Sequence, residues 1–230
     1  MSVSYHRDET VAIITMDDGK VNALGPAMLA EINSALDQAQ GENAAAVVIA
    51  GNERVFSGGF DLKVFRSGDV QASIEMLTAG FELSHRLLSF PVPVVAAITG
   101  HAIAMGSFLA CSVDHRIAGP TYSFQANEVA IGMVLPYPAL EIMKLRLTRS
   151  AYQQAVGLAK TFLGETALAG GWIDEIAMPD RVLSRATEAA HDFATNLHAK
   201  AHHACKMRAR QEALDAMRAG IDNIHTEFGL

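Results

Sequence analysis

Apolar positions along the chain change period several times, and each change marks an element. Val3 to His6 and Val11 to Met16 read as two strands of an N-terminal hairpin, with a turn at Asp17-Asp18-Gly19-Lys20 beyond them. From Pro26, well placed for a first helical turn, Met28, Leu29, Ile32, Leu36 and Ala39 recur at three and four residues. They predict a helix that stops at Gly41. Ala46 to Ala50 and Val94 to Ile98 are unbroken runs of small or β-branched apolar residues, the pattern of strands buried on both faces. Between them, from Asp69 to Leu88, Ile74, Leu77, Phe81 and Leu88 keep helical spacing until Pro91 and Pro93.

Strands alternating with helices imply parallel pairing, with helices packed on the sheet and ligands bound beyond the carboxyl ends of strands. Two glycine segments follow strands in that position, 57–59 and 100–106. In the second, Gly100 and Gly106 bracket a turn from which a helix starts near Met105. The first amides of a helix lack intrahelical acceptors and sit at the positive end of its dipole, so this passage predicts an anion or oxyanion site built from backbone. A short strand, Arg116 to Ala118, comes next, then a turn at Gly119-Pro120 and an extended Tyr122-Ser123-Phe124, which places Glu128 just past an extended segment. Beyond Tyr137 the pattern is largely helical. Two stripes, Val182, Ala186, Ala189, Phe193, Leu197 and then Met207, Leu214, Met217, Ile221, Ile224, Phe228, predict a helical appendage over the last ~50 residues.

Composition narrows the class. The chain has 230 residues, 50% hydrophobic and 19% charged, enough for a sizeable core. Its apolar runs are too short to span a bilayer, and Met1 to Arg7 lacks the apolar core of a signal peptide, so a soluble, cytoplasmic protein without membrane partners is expected. A formal net charge of −7 argues against nucleic acid as a partner. Cys111 and Cys205 form no disulfide framework and are expected as reduced thiols. His198, His202, His203 and Cys205 lie on a polar helix that reads as a solvated face, and no metal site is expected.

Four segments occur in the order seen in the crotonase (enoyl-CoA hydratase/isomerase) superfamily, which the whole chain resembles. They are Phe56-Ser57-Gly58-Gly59-Phe60-Asp61-Leu62-Lys63, Gly100 to Gly106, Asp114-His115-Arg116-Ile117-Ala118 and Ala167 to Asp174. The resemblance implies an α/β crotonase (ClpP/crotonase-like) fold of repeated ββα units, with an acyl-CoA site in residues 1–180. It also implies a helical trimerisation region over 181–230, and homotrimers or dimers of trimers. The substrate implied is an acyl-CoA thioester, with no further cofactor, since CoA is part of the substrate. The N–H groups of Phe60 and Met105 would hold the thioester enolate, a kind of contact worth about 2.7–4 kcal/mol per donor. Ala23, Asp61, Leu62 and Lys63 would lie near CoA, Lys20 or Lys63 would meet a phosphate, and Gly106 and Phe108 would border the substrate.

Family hydratases use two glutamates. Here Phe108 stands at the first position and Glu128 at the second, in Asn127-Glu128-Val129-Ala130-Ile131-Gly132. That resembles the Δ3,Δ2-enoyl-CoA isomerase branch, where one glutamate moves a proton from C2 to C4. A single base suffices for such a shift, and an apolar neighbour would raise its pKa and exclude water. The alternatives are a hydratase, a thioester hydrolase or decarboxylase using the same oxyanion site, and a non-catalytic acyl-CoA-binding protein. Local alternatives also stay open. Glu128 could cap a helix or pair with Arg116, and Asp114 with Arg116 reads as a structural pair. Ser107 could act as a nucleophile with His101 or His115, and Glu75, Glu82 or Glu141 could supply a second acid.

Overall fold

The computed structural model describes residues 2–228. In chain order the elements are β1 (Val3–Asp8), β2 (Val11–Met16), α1 (Pro26–Gly41), β3 (Ala46–Ala50), β4 (Val55–Ser57), α2 (Leu62–Arg66), α3 (Val70–Leu88), β5 (Val94–Ile98), β6 (His101–Ile103) and α4 (Met105–Cys111). Then come β7 (His115–Ala118), β8 (Ser123–Gln125), α5 (Tyr137–Arg146), α6 (Arg149–Leu158), β9 (Phe162–Leu163), α7 (Gly164–Gly170), β10 (Glu175–Ile176), α8 (Val182–Asn196), α9 (Ala199–Asp222) and α10 (Ile224–Glu227).

Two sheets organise them. The larger has the order β1-β2-β3-β5-β7-β10, and only its β1–β2 pair is antiparallel. The smaller has the order β4-β6-β8-β9, parallel except at β8–β9. The repeat is therefore ββα: a long strand joins the larger sheet, a short one joins the smaller, and a helix follows. Of the three-residue strands, β4 runs into the first glycine segment and β6 lies inside the second, where the sequence pattern marks no strand. Three residues are too few to show a period, so the pattern could not separate them from loop.

The unbroken apolar strands are buried on both faces. Val47 and Ile49 of β3 join a core shared with α1 and α3, whereas Ala46, Val48 and Ala50 face Val182, Ala186, Ala189 and Ala190 of α8. Within 181–228 the chain is largely helical, and its first helix closes one face of the larger sheet instead of standing outside the core; residues 229 and 230 lie outside the described residues. The first two predicted helices keep their expected ends. Pro26 opens α1, and Asp69 caps α3 by accepting from the Ala72 N–H at 2.9 Å. No helix among the described residues is long and apolar enough to cross a membrane.

Asp114 and Arg116 do not pair with each other. Asp114 accepts from the Val94 N–H (2.8 Å), Lys206 (2.7 Å) and Arg210 (2.9 Å), which fixes α9 to the start of β5. Arg116 instead forms a two-pronged pair with Asp174 at 2.9 and 2.8 Å. Asp114 stands just before β7 and Arg116 within it, and each finds its partner elsewhere in the fold.

Candidate active site

The site is assembled where β4 and β6 end side by side. Ser57 pairs with Ala102, and both strands then run into tight turns. Gly106 makes the approach possible: a Cβ there would lie 2.2 Å from the Ser57 carbonyl oxygen. Gly59 takes a φ of +95°, and a Cβ on it would meet the Ile103 oxygen and Ala104 Cβ at 3.0 Å and the Met105 nitrogen at 3.3 Å. The backbone entering Phe60 thus lies against the backbone entering α4.

Ala104 turns the chain into that helix with φ 49° and ψ −126°, a conformation alanine rarely holds. It is kept there by its N–H donating to the Gln125 carbonyl at 2.8 Å and by its own carbonyl accepting from the N–H groups of Ser107 and Phe108. The N–H of Met105, the first helical residue, finds no acceptor among the described residues. The Phe60 N–H finds none either, because the bridge between Leu24 and Phe60 runs from the Leu24 N–H to the Gly59 carbonyl (2.8 Å). Two free donors therefore stand on adjoining turns, the arrangement that stabilises an oxyanion.

Their side chains pack towards α3. The Phe60 ring stands edge-on to Phe65 (centroids 6.2 Å apart) and Phe81 (6.1 Å). It also covers Gly80, where a Cβ would come within 2.5 Å of it. Met105 is fully buried. Side-chain packing fixes the backbone and leaves the two amides without an acceptor among the described residues.

Beside these turns is a cavity of about 180 Å³, largely apolar in lining. Phe60, Ala104, Phe108, Asn127 and Glu128 border it. Glu128 follows β8, and its carbonyl accepts from Ile131 (3.0 Å) and Met133 (2.8 Å), which turns its side chain inward. The residue is 8% exposed, and its Oε2 is buried with no hydrogen-bond partner among the described residues. Burial pushes its pKa up to about 7, against a smaller lowering by its own backbone N–H. Among the described residues it is the one ionisable group that borders the cavity.

Of the other expected residues, Leu62 borders the cavity, while Asp61 caps α2 by accepting from the Lys63 N–H at 2.9 Å. Ala23, whose N–H donates to Asp18 at 3.1 Å, does not border it, nor does Lys63. Gly106 is buried in close contact with the Ser57 backbone and does not border the cavity. Lys20 opens onto a separate groove with Asn52 and Arg54. The pairing of Glu128 with Arg116 does not occur, since Arg116 is taken by Asp174.

Ser107 is no nucleophile: it is fully buried and donates to the Ala102 carbonyl at 2.5 Å, while the exposed His101 bonds Ser123. Glu82 is engaged by Arg218, Glu141 by Lys144, and Glu75 by Gln71. None of the three carboxylates borders the cavity. No cluster of three or more metal-ligating side chains occurs among the described residues.

Sequence reasoning missed the residues that enclose the cavity: Leu77 and Phe81 on α3, Met133 and Pro136 before α5, and Phe228 after α10. Leu77, Phe81 and Phe228 had been counted in apolar stripes, and a stripe does not distinguish a core position from a pocket wall.

Residues 6–229 match the enoyl-CoA hydratase/isomerase family. An enoyl-CoA hydratase of Mycobacterium marinum has a similar structure, with a TM-score of 0.97 and 63% identity over 100% of both chains. An enoyl-CoA isomerase of Mycobacterium tuberculosis, solved without ligand, gives 0.96 and 64% over 98% of each. A probable enoyl-CoA hydratase of Mycobacterium avium is 30% identical over 226 residues, covering 95% of this chain and 80% of its own.

Proposed function

The chain belongs to the enoyl-CoA hydratase/isomerase family, and on that premise we propose that it shifts the double bond of an enoyl-CoA from Δ3 to Δ2, with Glu128 as the sole proton carrier. The observation that supports this reading most is the cavity's lining, where Glu128 is the one ionisable group among the described residues and Phe108, which the family resemblance sets at the position of a hydratase's first acid, forms an apolar wall.

In this mechanism Glu128 takes a proton from C2, and the electrons of that C–H bond move through C2–C1 to the thioester oxygen. The N–H groups of Phe60 and Met105 hold the resulting dienolate. As the thioester carbonyl re-forms, the C2–C3 double bond forms and the C3–C4 pair takes the proton back from Glu128 at C4. Substrate and product differ only in the position of one hydrogen and one double bond. A carboxyl whose pKa lies near 7 suits both halves of the transfer, because it accepts and returns the proton at similar cost. The apolar wall at Phe108 keeps water from competing.

Hydration of a 2-enoyl-CoA is the second reading, favoured by the hydratase names of two of the relatives. It requires a positioned water, and the hydratase pattern holds that water with two acids. The direct test of Glu128 is Glu128→Gln, which keeps size and removes the base. The expected fall in kcat is ~10²–10⁴, with acyl-CoA affinity changed by no more than a few-fold. An unchanged kcat would remove Glu128 from the mechanism.

A further inference from the structure

The size of the cavity carries information about the acyl chain. Pockets for drug-sized ligands occupy roughly 300–1,000 Å³, whereas an apolar cavity of ~150 Å³ takes benzene, a six-carbon ring. At about 180 Å³ the cavity beside Glu128 cannot contain a CoA moiety and matches a short acyl group.

One wall comes from the far end of the chain. Phe228 borders the cavity immediately after α10, and its N–H donates to the Ile224 carbonyl at 3.1 Å. It is set in place from three sides. Ile224 is 1% exposed in the main core, and α10 packs on α3 and α9. The Glu227 carboxyl faces the backbone N–H of Tyr137 at the start of α5. Just before α10, Gly220 lies so close to α5 that a Cβ on it would come within 2.9 Å of the Pro138 ring. Phe228 itself is half-buried against the main core, so that an acyl chain long enough to reach it meets its ring.

We propose that Phe228 closes the acyl pocket and sets its depth, so that the protein selects acyl-CoAs with chains of about six carbons. The proposal rests on the reading of this cavity as the acyl site, and it is independent of which reaction Glu128 carries out.

The test uses saturated acyl-CoAs, which have no double bond to shift or hydrate, and measures their affinity by calorimetry. With the parent protein, affinity should rise from butanoyl- to hexanoyl-CoA and fall at least tenfold by dodecanoyl-CoA. Phe228→Ala should recover dodecanoyl-CoA binding at least tenfold relative to hexanoyl-CoA, moving the optimum towards longer chains. Phe228→Trp should move the optimum the other way, towards butanoyl-CoA, and keeps the proposal testable if the alanine variant does not fold. Equal affinity of the parent for hexanoyl- and dodecanoyl-CoA, or a chain-length profile that neither variant moves, would overturn it. If the parent bound no acyl-CoA of any length, the reading of the cavity as an acyl site would fall first, and a normal profile with no turnover would leave the pocket assignment standing while refuting the proposed reaction.

Discussion

Gly59 and Met105 meet backbone to backbone, 3.3 Å separating the Met105 nitrogen from the point where a Cβ on Gly59 would stand. That contact brings the Phe60 N–H beside the Met105 N–H, although 45 residues of chain separate the two. The site depends on it more than on any side chain other than Glu128.

Gly59→Ala is therefore expected to damage catalysis without removing a functional group. The new methyl would press on Ala104 Cβ and the Ile103 oxygen at 3.0 Å, on a backbone whose φ of +95° suits only glycine. Parting the two donors should cost ~10²-fold or more in kcat. The check is steady-state kinetics alongside circular dichroism: a variant with the parent's spectrum and the parent's kcat would show that the paired amides are not used.

Glu128 also predicts how activity and stability change with pH. Its carboxyl must be ionised to take the proton, so kcat/KM should fall about tenfold per unit as pH drops below about 7 and be level above it. The sign for stability is opposite. Because burial raises its pKa from 4.5 to about 7, the folded protein holds a proton that the unfolded chain releases between those values, and stability decreases as pH rises through that window. Glu128→Gln escapes this loss. It should be more stable than the parent by about 3 kcal/mol at pH 8 and equal to it near pH 4. Thermal unfolding of the pair across that range is the measurement, and a constant difference in Tm would contradict it.

Much of this architecture is legible in the residues themselves. Val94 to Ile98 reads as a doubly buried strand, and it is one; Pro26 opens a helix, and Pro91 and Pro93 follow one. The free N–H of Met105 follows from a helix beginning directly after a turn. What could not be read are features that come from tertiary contact. Nothing about Ala104 announces a φ of 49°, because alanine adopts it only under the constraint of Gln125 and the α4 carbonyl bonds. Asp114 and Arg116, two apart, gave no sign that one would hold α9 and the other Asp174. Val182, Ala186, Ala189 and Ala190 show an apolar stripe, but not that it packs on the distant central strands β3 and β5. Phe228 is recognisable as apolar, and only the fold brings it to the cavity.

One acid beside an apolar wall should shift a double bond without adding water. Assaying the parent protein in parallel on a six-carbon 3-enoyl-CoA and its 2-enoyl isomer, and following both the loss of substrate and the formation of 3-hydroxyacyl-CoA, tests it most directly. Isomerisation of the 3-enoyl-CoA is expected to exceed hydration of the 2-enoyl-CoA by at least tenfold in kcat/KM, an asymmetry of about 1.4 kcal/mol or more between the two transition states. Hydration that equals or outpaces isomerisation would contradict it.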